Sequence, residues 1–200
     1  MNKTAAIAAV LAATTDQPVI FTTGFACRIA RHLAERPNHF YMTGSMGLAS
    51  SIGIGIALAA RQPTVVVDGD GSLLMNPVGL LTAGGLQDLP LVHVVLDDAS
   101  YASTGGQHAP PTGTNLVRLA TAFGYPWAGS ADRLDAFAEL VRTAVADCAS
   151  PMIVVAVLTE PDEPVPPRVD VDLGVHAREF RDHLAFIQQR AWPAREGSRA

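Results

Sequence analysis

Short apolar runs alternate with longer one-sided stretches along most of this chain. Pro18-Val19-Ile20-Phe21, His39 to Met42, Thr64 to Val67, Leu91 to Leu96 and Pro151 to Leu158 read as strands, rich in β-branched or aromatic residues. Helices are expected between them. One runs through Cys27 to Ala34 and is stopped by Pro37. A Gly/Ala-rich helix follows the turn Gly44-Ser45-Met46-Gly47 to about Arg61, and a further helical stretch follows Ser72. Asn115 or Thr114 caps a helix with Leu116, Leu119, Ala120 and Phe123 on one face and Gly124 at its end. Ser130 is expected to cap another, with Leu134, Phe137, Leu140, Val141 and Ala144 as its apolar stripe. The N-terminal MNKTAAIAAVLAATTDQP reads as a small amphipathic helix rather than an export signal, being Ala-rich and interrupted by Thr.

Strands alternating with helices throughout predict an α/β fold with a mainly parallel sheet flanked by helices. The 200 residues fit one domain, 1–200, with its core at about 18–160. Residues 160–168 form a Pro-rich acidic connector, extended on the surface, and about 173–190 a C-terminal helix; the tail after Pro193 is expected to fray. Glycines inside the helix after Gly47 each cost about 0.8–1.0 kcal/mol against Ala. Such a run implies a close contact with the sheet or with another subunit.

Charge removes several function classes. A net charge of −5 gives no electrostatic footprint for nucleic acid. The longest apolar stretch, around Leu48 to Ala60, is too short and too broken by Ser and Gly to span a bilayer, and no basic cluster marks a membrane surface. Cys27 and Cys148 have no metal or redox spacing and read as buried free thiols, which suits a cytoplasmic protein.

The chemistry concentrates between Val65 and Tyr101. An apolar strand stops at Asp68-Gly69-Asp70-Gly71-Ser72, and a second ends in Asp97-Asp98. One helix and one return strand fit between Asp70 and Asp98, so both carboxylates fall at the carboxyl ends of neighbouring parallel strands. That is the edge where open α/β sheets bind ligands. Converging oxygen ligands beside a Gly-Asp-Gly turn suit a hard divalent cation holding a diphosphate.

VVVDGDGSLLM, closed by LDDASY, resembles the signature of the thiamine-diphosphate (ThDP) enzymes, in which a GDG opens the motif and an Asn closes it. The resemblance implies that Asp70 binds Mg²⁺, that Asp98 holds the place of the Asn as second ligand, and that the Ser100 carbonyl is the third. Ser72, Ser103 and the Thr23-Gly24 turn would hold the diphosphate, with Gly69 and Gly71 shaping the turn. Gly44-Ser45-Met46-Gly47 matches the element whose carbonyl, at Gly44, receives the pyrimidine amino group and whose bulky side chain, at Met46, wedges between the rings. Taken alone, Met46 reads as simple core; beside the GDG motif it does not. Asp98 in place of Asn is a departure, because it adds negative charge beside a diphosphate.

RPNHFYMTGSMGLASSIGIGIALA, VVVDGDGSLLM and LDDASYASTGGQ are most similar to the phosphonopyruvate and sulfopyruvate decarboxylases, over most of residues 18–160. This implies a ThDP- and Mg²⁺-dependent decarboxylase acting on a small anionic 2-oxo acid. Thr104, Gln107 and His108 are substrate candidates there. Arg28 is expected either to meet an anionic group or to make a structural ion pair. The Glu that activates the pyrimidine in this family has no counterpart; Glu35 and Glu160 lack its context. The chain therefore resembles the β subunit of a split enzyme, needing a pyrimidine-binding α partner in an α₂β₂ or larger assembly. A carboligase on the same scaffold and a non-catalytic regulatory subunit are the alternatives.

Overall fold

A computed structural model describes residues 1–101, 103–108 and 115–191. Helix α1 (Lys3–Ala13) leads into β1 (Val19–Phe21), α2 (Phe25–Leu33), β2 (His39–Tyr41), α3 (Ala49–Ala60) and β3 (Thr64–Gly69). Then come α4 (Asp70–Met75), α5 (Val78–Gly84), β4 (Leu91–Asp97) and the small strands β5 (Ser100–Tyr101) and β6 (Gln107–His108). The chain continues through α6 (Leu116–Ala122), β7 (Trp127–Ala131), α7 (Leu134–Ala146), β8 (Met152–Val157) and α8 (Leu173–Ala191).

The main sheet has the order β2-β1-β3-β4-β8-β7, and each neighbouring pair is parallel. The expected α/β architecture is therefore present. Side chains alternate between two cores, as strand geometry requires. Val65 and Val67 pack with Ile7, Val10, Ile29, Phe137 and Val141 on one face. Val66 packs with Ile54, Leu80, Val95, Leu116 and Ile153 on the other. Helices cover both faces, which is why the central strands are apolar without interruption.

Helix α1 buries Lys3, Ala6, Ile7, Val10 and Leu11, a single face at helical spacing. In α3, Gly53 lies directly on β3, where a Cβ would run into Val66 Cγ2. The glycine is there for helix–sheet approach, whereas nothing lies within 4 Å of the Cβ position of Gly55. Helix α8 returns to the edge strand β2. Tyr41 N–H donates to His176 Nε2 at 3.0 Å, and Phe40 stacks on His176 with ring centroids 5.3 Å apart. The open edge is thereby covered.

Two sequence expectations are corrected. The helical stretch after Ser72 is two helices, because Pro77 supplies no N–H to continue α4 and α5 restarts after it. Ser130 caps nothing: it lies in β7, and the residue before α7 is Arg133, without a side-chain capping bond. Helix α7 has Asp135 in its first turn, which suits the positive end of its dipole. Asn115, whose side chain accepts from Arg118 N–H at 2.9 Å, caps α6. Thr114, with residues 102 and 109–113, and the tail after Pro193 lie outside the described residues.

Candidate functional site

The strand order reverses direction between β1 and β3, so the chain leaves these two neighbours towards opposite sides of the sheet. A crevice opens at their carboxyl ends, and ligands of open α/β sheets lie in such crevices. Three segments meet there: Thr22 to Gly24 after β1, Gly44 to Gly47 after β2, and Gly69 to Ser72 after β3.

Ser72 ties them together. Its hydroxyl accepts the Gly47 amide at 3.0 Å and shares a hydrogen bond with Thr22 Oγ1 at 3.1 Å. When Thr22 donates, the Ser72 proton is free for an anion. Helix α4 is one and a half turns long, so its dipole is small; what it offers is the unpaired N–H groups of its first turn.

Met46 is held by geometry on both sides. Ser45 has φ 60° and Gly47 φ 84°, a sharp left-handed turn. Asn76 Nδ2 donates to the Gly47 carbonyl at 2.9 Å, which fixes the end of the turn. A non-Gly residue at positive φ is uncommon, and here it presents Met46 to the cleft.

Two cavities share Thr23, Met46 and Ser103 on their walls. The first, ≈ 60 Å³, is lined by Asp70, Gly71, Ser72, Asp98, Ser100 and Lys3, with Gly69 and Tyr101 at its border. The second, ≈ 270 Å³, is lined by Gly24, Arg28, Thr43, Thr104 and Arg168. Gly24 has φ 99°, and a Cβ there would stand 3.0 Å from Ser103 Oγ, inside the cleft.

The electrostatics of the first cavity favour a cation. Asp70 is 4% exposed. Burial first, and then the charges of Asp98 and Asp97, push its carboxyl up to about 7, against the pull of the Gly71 amide. Burial likewise raises Asp97. Carboxylates crowded together at the ends of β3 and β4 are relieved by a positive charge. Asp98 has one already: Lys3 Nζ lies 2.6 Å from its Oδ2 and 2.8 Å from Asp162 Oδ2. Its other oxygen accepts the Ser100 amide at 3.0 Å. Burial draws the Lys3 pKa down, but hydrogen bonds and charges of Asp162 and Asp98 outweigh it and leave it raised.

Among the described residues no group of three or more His, Cys, Asp or Glu is placed to hold an ion. A cation here would have two carboxylates, a carbonyl and oxygens brought by its ligand, an all-oxygen set that fits Mg²⁺ with a diphosphate.

Most of the residues singled out in the sequence come together. Thr23, Gly24, Met46, Gly69, Asp70, Gly71, Ser72, Asp98, Ser100 and Ser103 line the cleft, as do Thr104 and Arg28. Gly44 and Ser45 are exposed and line neither cavity, and the same holds for Gln107 and His108 on β6. Arg28 makes a contact that neither expectation anticipated. Its Nε donates to the Pro166 carbonyl at 2.6 Å, and its guanidinium lies 5.5 Å from the Phe25 ring centroid.

Sequence reasoning missed Lys3, Thr22, Asn76, Tyr101 and Arg168. Lys3 carried a usable signal, being the only lysine in the chain. Tyr101 explains the second glycine of the GDG turn: its ring occupies the place of a Cβ on Gly71.

Known proteins agree with this geometry. Over 131 residues the chain is 42% identical to a phosphonopyruvate decarboxylase of Streptomyces viridochromogenes, covering 66% of this chain and 33% of that protein. Over 120 residues it is 43% identical to a sulfopyruvate decarboxylase subunit beta of Methanothermobacter thermautotrophicus, covering 60% and 65%. The matches thus span a third to just under two thirds of those relatives' own lengths. A thiamine diphosphate-dependent 4-hydroxybenzoylformate decarboxylase of Rhodococcus jostii RHA1 shares the fold, with a TM-score of 0.67 at 19% identity over 82% of this chain and 33% of that one. Residues 22–156 match the family "Thiamine pyrophosphate enzyme, C-terminal TPP binding domain". The cleft between β1 and β3 is thus set in a chain that belongs to the thiamine pyrophosphate enzymes, through their C-terminal TPP-binding domain.

Proposed function

We propose that this chain is the diphosphate-binding β subunit of a split, ThDP- and Mg²⁺-dependent decarboxylase. Its substrate would be an anionic 3-substituted pyruvate such as phosphonopyruvate or sulfopyruvate, released as the aldehyde and CO₂. The observation that carries the reading is the convergence of Asp70, Asp98, Ser100 and Ser72 on one cavity that shares Met46 with a second.

In this reading the whole of 1–200 works as one domain. Asp70, Asp98 and the Ser100 carbonyl hold Mg²⁺, and the Ser72 and Ser103 amides meet the diphosphate. Thr23 and Gly24 form its floor, and Gly69 and Gly71 let the backbone come close. The Gly44 carbonyl would receive the pyrimidine end, and Met46 would pack against the cofactor's rings. The cofactor supplies the electron sink that accepts the bonding pair as CO₂ leaves. Arg28 and Arg168 border the larger cavity with Thr43 and Thr104, a lining that suits an anionic substituent. Gln107 and His108 lie on the exposed β5–β6 hairpin next to Thr104 and would reach substrate only from its outer side.

The partner is inferred from two features. Among the described residues no glutamate lines either cavity, and in this reading the acid that activates the pyrimidine comes from an α subunit. Leu48, Met75, Val78 and Leu81 are all more than 40% exposed near the Met46 turn and the α4–α5 helices, apolar surface of the kind that a partner covers. We propose an α₂β₂ or larger assembly. Two free, buried cysteines support a cytoplasmic setting, and among the described residues no helix is long and apolar enough to cross a membrane.

The test is co-expression with a pyrimidine-binding partner and a panel of 2-oxo acids, with product identification. Aldehyde from phosphonopyruvate or sulfopyruvate is the expected result. Acyloin formation would make the chain a carboligase subunit. Cofactor binding without turnover of any 2-oxo acid would make it regulatory.

A further inference from the structure

Asp98 stands where the resembled family has a neutral Asn, and Lys3 stands against Asp98. Lys3 belongs to α1, on the far side of the sequence from the GDG motif. Its side chain is 8% exposed, with Asp98 at 19% and Asp162 at 28%. It points into the same cavity as Asp70 and Ser72. Its ammonium lies over the Phe25 ring, 5.6 Å from Nζ to the centroid. A lone lysine placed in a cleft rather than in solvent is a built feature, since lysines are almost never fully buried unless paired.

The two oxygens of Asp98 have different partners. Oδ1 accepts from the Ser100 N–H at 3.0 Å and hydroxyl at 3.2 Å, and Oδ2 accepts from Lys3. An Asn could not serve both: its NH₂ would face either the ammonium or the Ser100 amide, donor against donor. Lys3 therefore fits Asp98 and not Asn.

We propose that Lys3 is a positioning residue of the metal–diphosphate site, the counter-charge that makes Asp98 act towards the diphosphate as a neutral Asn would. The inference rests on the reading of Asp70 and Asp98 as ligands. With Lys3 in place the Asp98–Lys3 pair that lines the cavity is neutral, and the charge left over sits on Asp162, outside that lining. Without it, a bare carboxylate repels the diphosphate and attracts the metal more strongly. Asp162, further out and better solvated, steadies the ammonium from the connector and links that segment to the site.

Removing the charge should thus move two affinities in opposite directions, which loss of a merely structural contact would not do. The experiment uses the full chain, assembled with its pyrimidine-binding partner, as wild type and with Lys3→Met, Lys3→Arg, Asp98→Asn and the Lys3→Met/Asp98→Asn double variant. ThDP affinity is read by calorimetry at saturating Mg²⁺, and Mn²⁺ affinity without ThDP by electron paramagnetic resonance. Lys3→Met should weaken ThDP binding about tenfold and tighten Mn²⁺ binding, as expected for one unit charge nearby. Lys3→Arg should change neither by more than about twofold, and the double variant should return ThDP affinity to within about twofold of wild type. Should Lys3→Met not fold, Lys3→Gln reads the same loss of charge and should weaken ThDP while tightening Mn²⁺. Both affinities falling together in Lys3→Met, or neither moving, would overturn the role of Lys3 while leaving the ligand assignment standing. No binding of Mn²⁺ or ThDP by the wild-type chain assembled with its pyrimidine-binding partner would overturn the ligand reading and this inference with it.

Discussion

The Ser72 hydroxyl accepts the Gly47 amide at 3.0 Å, joining the helix after β3 to the turn after β2. The proposed diphosphate donor and the turn that presents Met46 are therefore one mechanical unit. Ser72→Ala should leave the buried Gly47 N–H without a partner, at a cost of about 1–3 kcal/mol. Urea unfolding and ThDP calorimetry should both show the loss. Wild-type values for both would mean that the hydroxyl is incidental.

Asp70→Ala should abolish Mg²⁺-dependent ThDP binding. It removes a buried carboxylate that nothing else in the cleft replaces. Calorimetry with and without Mg²⁺ reads this directly, and unchanged affinity would remove Asp70 from the metal site.

Met46→Ala should lower kcat more than it lowers ThDP affinity. The proposed diphosphate anchor at Asp70 and Ser72 would stay intact, while the ring geometry would loosen. Kinetics at saturating cofactor separate the two effects. A normal kcat there would make Met46 part of the core and not a wedge.

Acid stability should depend on His39. Burial, followed by the charge of Arg36, pulls its pKa down to about 4, although the Ala34 carbonyl pulls the other way. The unfolded chain takes up this proton near 6.5. Between those values the unfolded state binds more protons, so the contribution is whole above about 6.5 and is lost as pH falls towards 4. His39→Phe, which leaves the Tyr41 hydroxyl on the Ala34 carbonyl at 3.0 Å, should show a shallower fall in urea midpoint across that window. Parallel slopes for the two proteins would assign the acid limb elsewhere.

The sheet was legible because buried parallel strands are written as continuous apolar runs, and the site because Gly69-Asp70-Gly71-Ser72 and Asp97-Asp98 sit at their ends. Strand β7 was not legible. Trp127-Ala128-Gly129-Ser130-Ala131 carries neither alternation nor an apolar run, since it is an edge strand with one neighbour, β8, and partial exposure. Ser130 looked like a cap for that reason. The Lys3–Asp98 pair was hidden because it is purely tertiary: it depends on α1 packing beside α2 and α7. Likewise the role of Asn76 depends on where the chain restarts after Pro77.

The central claim is that this chain supplies one end of a cofactor site and a partner supplies the other. The most direct test is a turnover assay on the purified chain, shown free of partner by mass spectrometry, before and after a pyrimidine-binding subunit is added. The account predicts no decarboxylation of phosphonopyruvate or sulfopyruvate by the chain alone, and Mg²⁺- and ThDP-dependent release of CO₂ once the partner is present. Robust decarboxylation by the lone chain would contradict it and would place the activating acid within these 200 residues.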